Sequence, residues 1–257
     1  MPAKPTTRTV STVKTMFEII RILQDNGGAN VADISDSMDL AKSTIYDHLS
    51  TLEEEGYVQK EDTEYNLGLK FLDHGMYARE TYQELITTAR PIMESLAEET
   101  KEVVWIMVEE NGWAVYLDFA KGEHAVPTTV RKGSRRHLHW LSAGKAILAH
   151  KPRHEVNTII DERGLPRRTP YTITDRDELF DEFEKIREEG FAKNDEEAIE
   201  GIRAVGAPII TEDVVRGAIS VTAPINRLNG ERYRVEFPNL VQGAAKEIEL
   251  NILYQPI

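Results

Sequence analysis

Cysteine is absent from the 257 residues. That excludes disulfides, thiolate nucleophiles and every Cys-based zinc or iron–sulfur site. Long apolar runs are absent too. No stretch approaches the ~18 consecutive apolar residues of a membrane span, and the mean hydropathy is −0.42. The opening MPAKPTTRTVSTVK has no apolar leader core, so a cytoplasmic protein is expected. Positive charge is scarce: 31 Lys+Arg stand against 44 Asp+Glu, for a net charge of −13. The acidic residues are spread over both halves. Such dispersion suits a protein of very high salt, the alternative being an ordinary acidic cytosolic chain.

Several enzyme signatures are also missing. There is no GxSxG, HExxH, GxGxxG or phosphate loop; Ala143-Gly144-Lys145-Ala146 lacks the upstream glycine and the hydroxyl after the lysine. His137 and His139 fall on one strand face, with His150 and His154 nearby. Two or three histidines could ligate a metal, but hydrogen-bonded or solvated histidines beside a basic run are the simpler reading. Neither metal nor cofactor is expected. Glu196-Glu197 are adjacent, tend to point apart, and read as a solvated turn.

The first third has the pattern of a helix-turn-helix. Val13, Met16, Phe17, Ile20 and Leu23 recur at helical spacing. Asn26-Gly27-Gly28 stops that helix. Asn30 caps a second helix with Val31, Ile34 and Met38 inward. Asp39-Leu40-Ala41 turns into a third, with Ile45, Leu49 and Leu52 inward. Its outer face carries Lys42, Ser43, Thr44, Tyr46 and His48, groups that donate to phosphates or touch base edges. Two short runs around Glu61-Asp62-Thr63-Glu64 form a hairpin, hence a wing. The bland alternative is a three-helix unit with a solvated polar face. Residues 1–70 carry seven basic and twelve acidic side chains, net −5, whereas DNA readers usually present a basic face. At multimolar salt the counterion term has largely gone, so an acidic reader is consistent only with the high-salt reading.

The second half mixes strands and helices. Glu102–Val108 and Trp113–Leu117 are strand-like about the hairpin signal Asn111-Gly112. Ser142 reads as the cap of a helix through Ala149, and Thr174 with Asp177 as a capping box. Residues 205–211 and 217–222 are strands. Residues 231–253 form a helix broken early by Pro238. Residues 69–100 are helical, and Pro91 is expected to end one helix and start another.

Taken with the helix-turn-helix and wing, three further segments carry a resemblance. These are His139-Trp140-Leu141-Ser142-Ala143-Gly144-Lys145-Ala146, then Gly190-Phe191-Ala192 with Asn194-Asp195-Glu196-Glu197, then Gly201-Ile202-Arg203-Ala204-Val205-Gly206-Ala207-Pro208. Gly217–Pro224 is similar to a closing strand. In this order they resemble the IclR family of transcriptional regulators over residues 10–252, here with a halophilic archaeal composition. Trp140, Asn194 and Gly206 depart from the family pattern.

The resemblance implies an α+β protein: a winged helix-turn-helix (1–70), a linker helix (71–90) and an α/β, GAF-like effector-binding domain (91–257). It implies a non-enzymatic, ligand-responsive, sequence-specific DNA-binding regulator of a catabolic operon. The alternative is a DNA-free metabolite sensor or enzyme on the same α/β domain. The expected partners are a pseudo-palindromic operator, a carboxylate effector and a second copy, as homodimer or tetramer, the interface formed by the first helix around Phe17 and Arg21 and by residues 69–80. Lys4 and Arg8 are candidates for a minor groove. The implied effector positions are Ser142, Ala143, Asn194, Ala204, Ser220 and Thr222. Ser142 and Ala143 open a helix, whose free N–H groups favour anions. Ser220 and Thr222 share one strand side, and Asn194 can donate where Asp cannot. Arg136 could pair with a carboxylate. Trp140 could stack on the ligand or cover the core.

Overall fold

A computed structural model describes residues 9–127 and 130–254. The chain divides between Glu80 and Thr81 into two compact units. Lys4 and Arg8 lie outside the described residues.

The first unit holds α1 (Ser11–Asn26), β1 (Ala29–Asn30), α2 (Val31–Met38), α3 (Lys42–Glu54), β2 (Val58–Glu61), β3 (Glu64–Leu67) and α4 (Lys70–Glu80). Gly27 ends α1 in the left-handed conformation, and the Asn30 side chain accepts from the amides of Ala32 and Asp33 to cap α2. Ile45, Leu49 and Leu52 of α3 face the core. The deepest α1 residues are Ile19 and Leu23, while Phe17 is 54% exposed. The core follows Met16-Ile19-Ile20-Leu23, leaving Val13 and Phe17 on the rim. The strands pair in the order β1-β3-β2, so β2 and β3 form the wing. No residue of α4 is buried. Its start is tied to the base of the wing: Lys70 Nζ donates to the Glu55 carbonyl at 2.7 Å, and the Tyr57 hydroxyl meets His74 Nε2 at 2.7 Å.

The second unit comprises α5 (Gln83–Thr100), β4 (Val103–Glu110), β5 (Trp113–Lys121), β6 (Arg135–Arg136), α6 (Ser142–Ala149), α7 (Arg153–Arg163), α8 (Arg176–Glu189), β7 (Ala192–Asp195), β8 (Ile202–Thr211), β9 (Val214–Pro224) and α9 (Phe237–Tyr254). The six strands pair antiparallel in the order β6-β5-β4-β9-β8-β7. Strand alternation divides their side chains between two cores. Val104, Ile106, Ile219 and Val221 meet α5 and α9. Val103, Trp105, Met107 and Ala218 face α6 and α8. Asn111 and Gly112 both take positive φ, 52° and 77°, as the tight two-residue turn between β4 and β5 requires.

Three local expectations are corrected. The helix break falls at Thr81-Tyr82, not at Pro91, which lies inside α5. The Pro91 ring is exposed, and Thr87, whose carbonyl loses its helical partner, is also on the outer face. Water can serve that carbonyl, while burial of Ile92, Met93 and Leu96 holds the helix together. A linker over 71–90 is therefore replaced by two helices, one in each unit. The cap of α8 is Asp175, not Thr174; its side chain accepts from the amides of Asp177 and Glu178. Pro238 does not break the last helix but sits in its first turn, after a π-helical turn at Arg232–Glu236.

Candidate functional site

In the first unit α3 presents Lys42, Ser43, Thr44 and Tyr46 to solvent, with His48 half-buried. The spacing explains this: Ile45, Leu49 and Leu52 take the inward stripe, so residues 42–44 and 46–47 face out. The wing follows directly, its tip turning at Asp62 with φ 54°. A short turn, an exposed polar helix and a two-stranded wing are the parts of a major-groove reader.

The second unit contains a cavity of about 280 Å³ on the α6 side of the sheet. Its floor is Val103, Trp105 and Met107 of β4, Tyr116 of β5, Ser220 and Thr222 of β9, and Ile202 and Ala204 of β8. The opening helix end supplies Leu141 and Ser142. Asn194, Ala198 and Ile199 form one side, and Val126, Pro127 and Val130 form another. The strand register explains the convergence. Asn194, Ala204, Thr222 and Val103 lie in one row across β7, β8, β9 and β4, and Gly206, Ser220 and Trp105 lie in the next.

Gly206 lets the start of α6 reach the sheet. A Cβ there would come within 2.7 Å of the Ala143 amide nitrogen and 2.9 Å of the Ser142 carbonyl carbon. Neither is a flexible group that can swing aside. Gly206→Ala is therefore expected to lift α6 from the sheet and destabilise the second unit by about 1–3 kcal/mol. Urea unfolding monitored by tryptophan fluorescence checks this; an unchanged midpoint would mean the helix end shifts freely.

Of the expected effector positions, Ser142, Asn194, Ala204, Ser220 and Thr222 line this cavity. The Ser220 hydroxyl is 1% exposed and has no hydrogen-bond partner. Four expectations change. Ser142 is the first residue of α6 rather than its cap, which is Leu141. Ala143 is fully buried against the sheet and does not line the cavity. Asn194 commits part of its amide to the protein, leaving one N–H: Nδ2 donates to the Trp140 carbonyl, and Oδ1 accepts from the Glu197 amide at 3.2 Å. Arg136 lies on the exposed edge strand β6, with Nη1 on the Arg135 carbonyl, and is no lining residue. Its charge is felt at Tyr116, whose hydroxyl burial pushes up to about 12 against that attraction. Trp140 is core, packed against His137 and His139 at 4.8 and 5.2 Å.

Sequence reasoning missed the apolar lining, because Trp105, Met107 and Tyr116 read as plain strand interior. It also misread Glu197, which is 6% exposed rather than solvated. Lys145, itself 1% exposed, donates to Glu197 Oε1 at 2.6 Å and lies 3.4 Å from Glu182 Oε1. Burial pushes the Glu197 carboxyl above its ordinary range, against the pull of Lys145.

Residues 80–250 match the family model described as "Bacterial transcriptional regulator IclR C-terminal". The chain belongs to the IclR family. Residues 14–59 match a second model, "Winged helix-turn-helix DNA-binding". Together they make this IclR-family chain a DNA-binding transcriptional regulator with a ligand-binding C-terminal domain. Among relatives, "Probable HTH-type transcriptional regulator ArcR" of Halobacterium salinarum is 35% identical and covers 95% of each chain. Its source fits the high-salt reading of the acidic composition. The Thermotoga maritima IclR crystal structure superposes with a TM-score of 0.77 at 29% identity, covering 95% of this chain and 99% of that one. An IclR homologue of Microbacterium hydrocarbonoxydans complexed with 4-hydroxybenzoate shares the fold, with a TM-score of 0.77 at 23% identity over 94% of this chain and 99% of that one.

The IclR-family chain has no helix, among its described residues, long and apolar enough to cross a membrane. Two of its histidines pack or bond within the second unit. His137 meets the Trp113 ring at 4.6 Å, and His139 bonds the Pro166 carbonyl at 3.1 Å. Burial lowers the His139 pKa to about 4. The unfolded imidazole takes a proton near 6.5 and the folded one does not, so stability is full above 6.5 and falls as pH drops toward 4. The expected loss is about 3 kcal/mol from this residue. His139→Gln should flatten the unfolding midpoint over that window; a persisting slope of the same size would assign it elsewhere.

Proposed function

We propose that this chain is a cytoplasmic homodimer, or a dimer of dimers, that binds a pseudo-palindromic operator through α3 and changes its DNA affinity when a small organic acid enters the second unit. It acts by binding and carries no catalytic role. Ser43, Thr44, Tyr46 and His48 meet base edges, and Lys42 meets phosphate. The half-sites lie about 10 base pairs apart, or a multiple of that. The dimer forms through the exposed side of α1, with Val13 and Phe17, and through α4, where Leu72 and Met76 are exposed without a core of their own.

The observation that carries the effector reading is the unpartnered, buried Ser220 hydroxyl at a cavity that Thr222, Asn194 and the first residue of α6 also line. Neutral donors and a helix N-terminus suit a carboxylate. The Microbacterium homologue's complex with 4-hydroxybenzoate supports an acid in this fold. The effector acts only through unequal affinity for two dimer geometries. A tenfold change in DNA affinity needs about 1.4 kcal/mol of coupling. Control of a catabolic operon fits such a ligand.

The test is retardation of the DNA upstream of the chain's own coding sequence, in multimolar KCl, with sedimentation under the same conditions. A shifted band from a dimer or tetramer is expected. A monomer that shifts no DNA would favour the alternative of a DNA-free sensor.

A further inference from the structure

The cavity is not evenly polar. Ser220 and Thr222 sit on β9, Asn194 on β7, and Ser142 at the start of α6, which rests on Gly206 of β8. Those four side chains therefore gather at the β9-β8-β7 end, under the helix N-terminus. The β4-β5 end is Val103, Trp105, Met107 and Tyr116. The Trp105 and Tyr116 rings meet edge to face at 4.9 Å, with Phe119 tilted against Trp105 at 5.2 Å. Val126, Pro127, Val130, Leu141, Ile199 and Ile202 complete the apolar wall. Among the described residues, no Lys, Arg, Asp or Glu lines the space.

On the reading of this cavity as the effector site, we infer that its ligand is a small monocarboxylic acid with an apolar, planar body, and not a polyhydroxylated acid. The polar groups suffice for one head. Asn194 has one N–H beyond its bond to Trp140, and Ser142, Ser220 and Thr222 add a hydroxyl each. A carboxylate has about four acceptor sites and takes them all. Beyond that head the described lining offers only the Tyr116 hydroxyl and the Trp105 indole N–H as side-chain polar groups, so most hydroxyls of a polyhydroxylated chain would face aromatic or aliphatic carbon and be buried unpaired, each at a cost of roughly tenfold or more in affinity. A flat ring, by contrast, gains offset or edge contacts with Trp105 and Tyr116. Size agrees: about 280 Å³ is the volume of about nine waters, enough for a single ring bearing one acid group. The head is held by neutral donors alone, so added salt screens little of its binding.

The test is titration calorimetry of the full-length protein in multimolar KCl with benzoate, 3-methylbutanoate and gluconate, beside the tryptophan fluorescence of the same samples. Benzoate is expected to bind tightest, 3-methylbutanoate next, and gluconate at least about a hundredfold more weakly than benzoate. Benzoate should change the fluorescence, and Trp105→Phe should abolish that change and weaken calorimetric binding roughly threefold to tenfold through the smaller ring contact. Ser220→Ala should weaken benzoate roughly tenfold. Gluconate binding as tightly as benzoate would overturn the inference and leave the effector site standing. No binding of any acid to protein that still retards its operator would overturn the inference and the effector reading together. Benzoate binding that ignores both substitutions places the acid elsewhere and also overturns it.

Discussion

Lys145→Ala is expected to destabilise the second unit by about 3–5 kcal/mol, because it leaves a buried carboxylate without its cation. Glu197 is that carboxylate. Its Oε1 takes the lysine at 2.6 Å, and its Oε2 is buried with no partner at all. Glu182, further exposed and 3.4 Å from the ammonium, cannot substitute for a cation. The effect should persist in multimolar salt, since a buried pair is screened far less than a surface one. Function should suffer beyond stability. Glu197 closes the turn whose neighbours Asn194, Ala198 and Ile199 line the cavity, and its own amide is bonded to Asn194. Replacing both partners, Lys145→Met with Glu197→Leu, should recover much of the stability. Chemical unfolding of these two variants beside the parent protein checks this. A single-variant loss below about 1 kcal/mol would mean that water reaches Glu197 and the pair is no fastening.

The double substitution Thr44→Ala, Tyr46→Ala should remove operator preference without touching the fold. Each lost base contact costs about 1–3 kcal/mol, so the pair should lower specific affinity at least about thirtyfold. Both side chains are exposed, Tyr46 to 53%, and exposed substitutions rarely move stability by more than about 0.5 kcal/mol. Footprinting and urea unfolding on the same sample separate the two effects. A parental footprint would show that α3 is not the reading helix.

The recognition unit was legible because its information is local. Ile45, Leu49 and Leu52 define the inner stripe of α3, so the outer residues follow by subtraction. Asn30 and Gly27 cap with their own neighbours. Asn111-Gly112 likewise dictates its turn. Strand alternation placed Ser220 and Thr222 on one side, which the cavity bears out. What stayed hidden depends on distant partners. Setting the aromatic wall of β4 and β5 against Ser220 and Thr222 needs β4 beside β9, a pairing of segments more than a hundred residues apart. Lys145 reads as an ordinary helix lysine until Glu197 arrives from 52 positions away. Arg136 looked apt by charge alone, yet an edge strand turned it outward. Pro91 obeyed packing rather than propensity, because the helix around it buries one face along its length.

The pairing of β4 with β9 also orders events during translation. The buried core of the first unit, from Ile19 and Leu23 to Val58 and Tyr65, is drawn entirely from the first 80 residues. The floor of the cavity waits for Ser220 and Thr222, and its opposite core waits for α9. At ordinary elongation rates the gap is on the order of ten seconds. A nascent chain stalled in that interval carries a finished reader and no sensor. Truncation before β9 would accordingly yield a protein deaf to its effector, its recognition helix still intact.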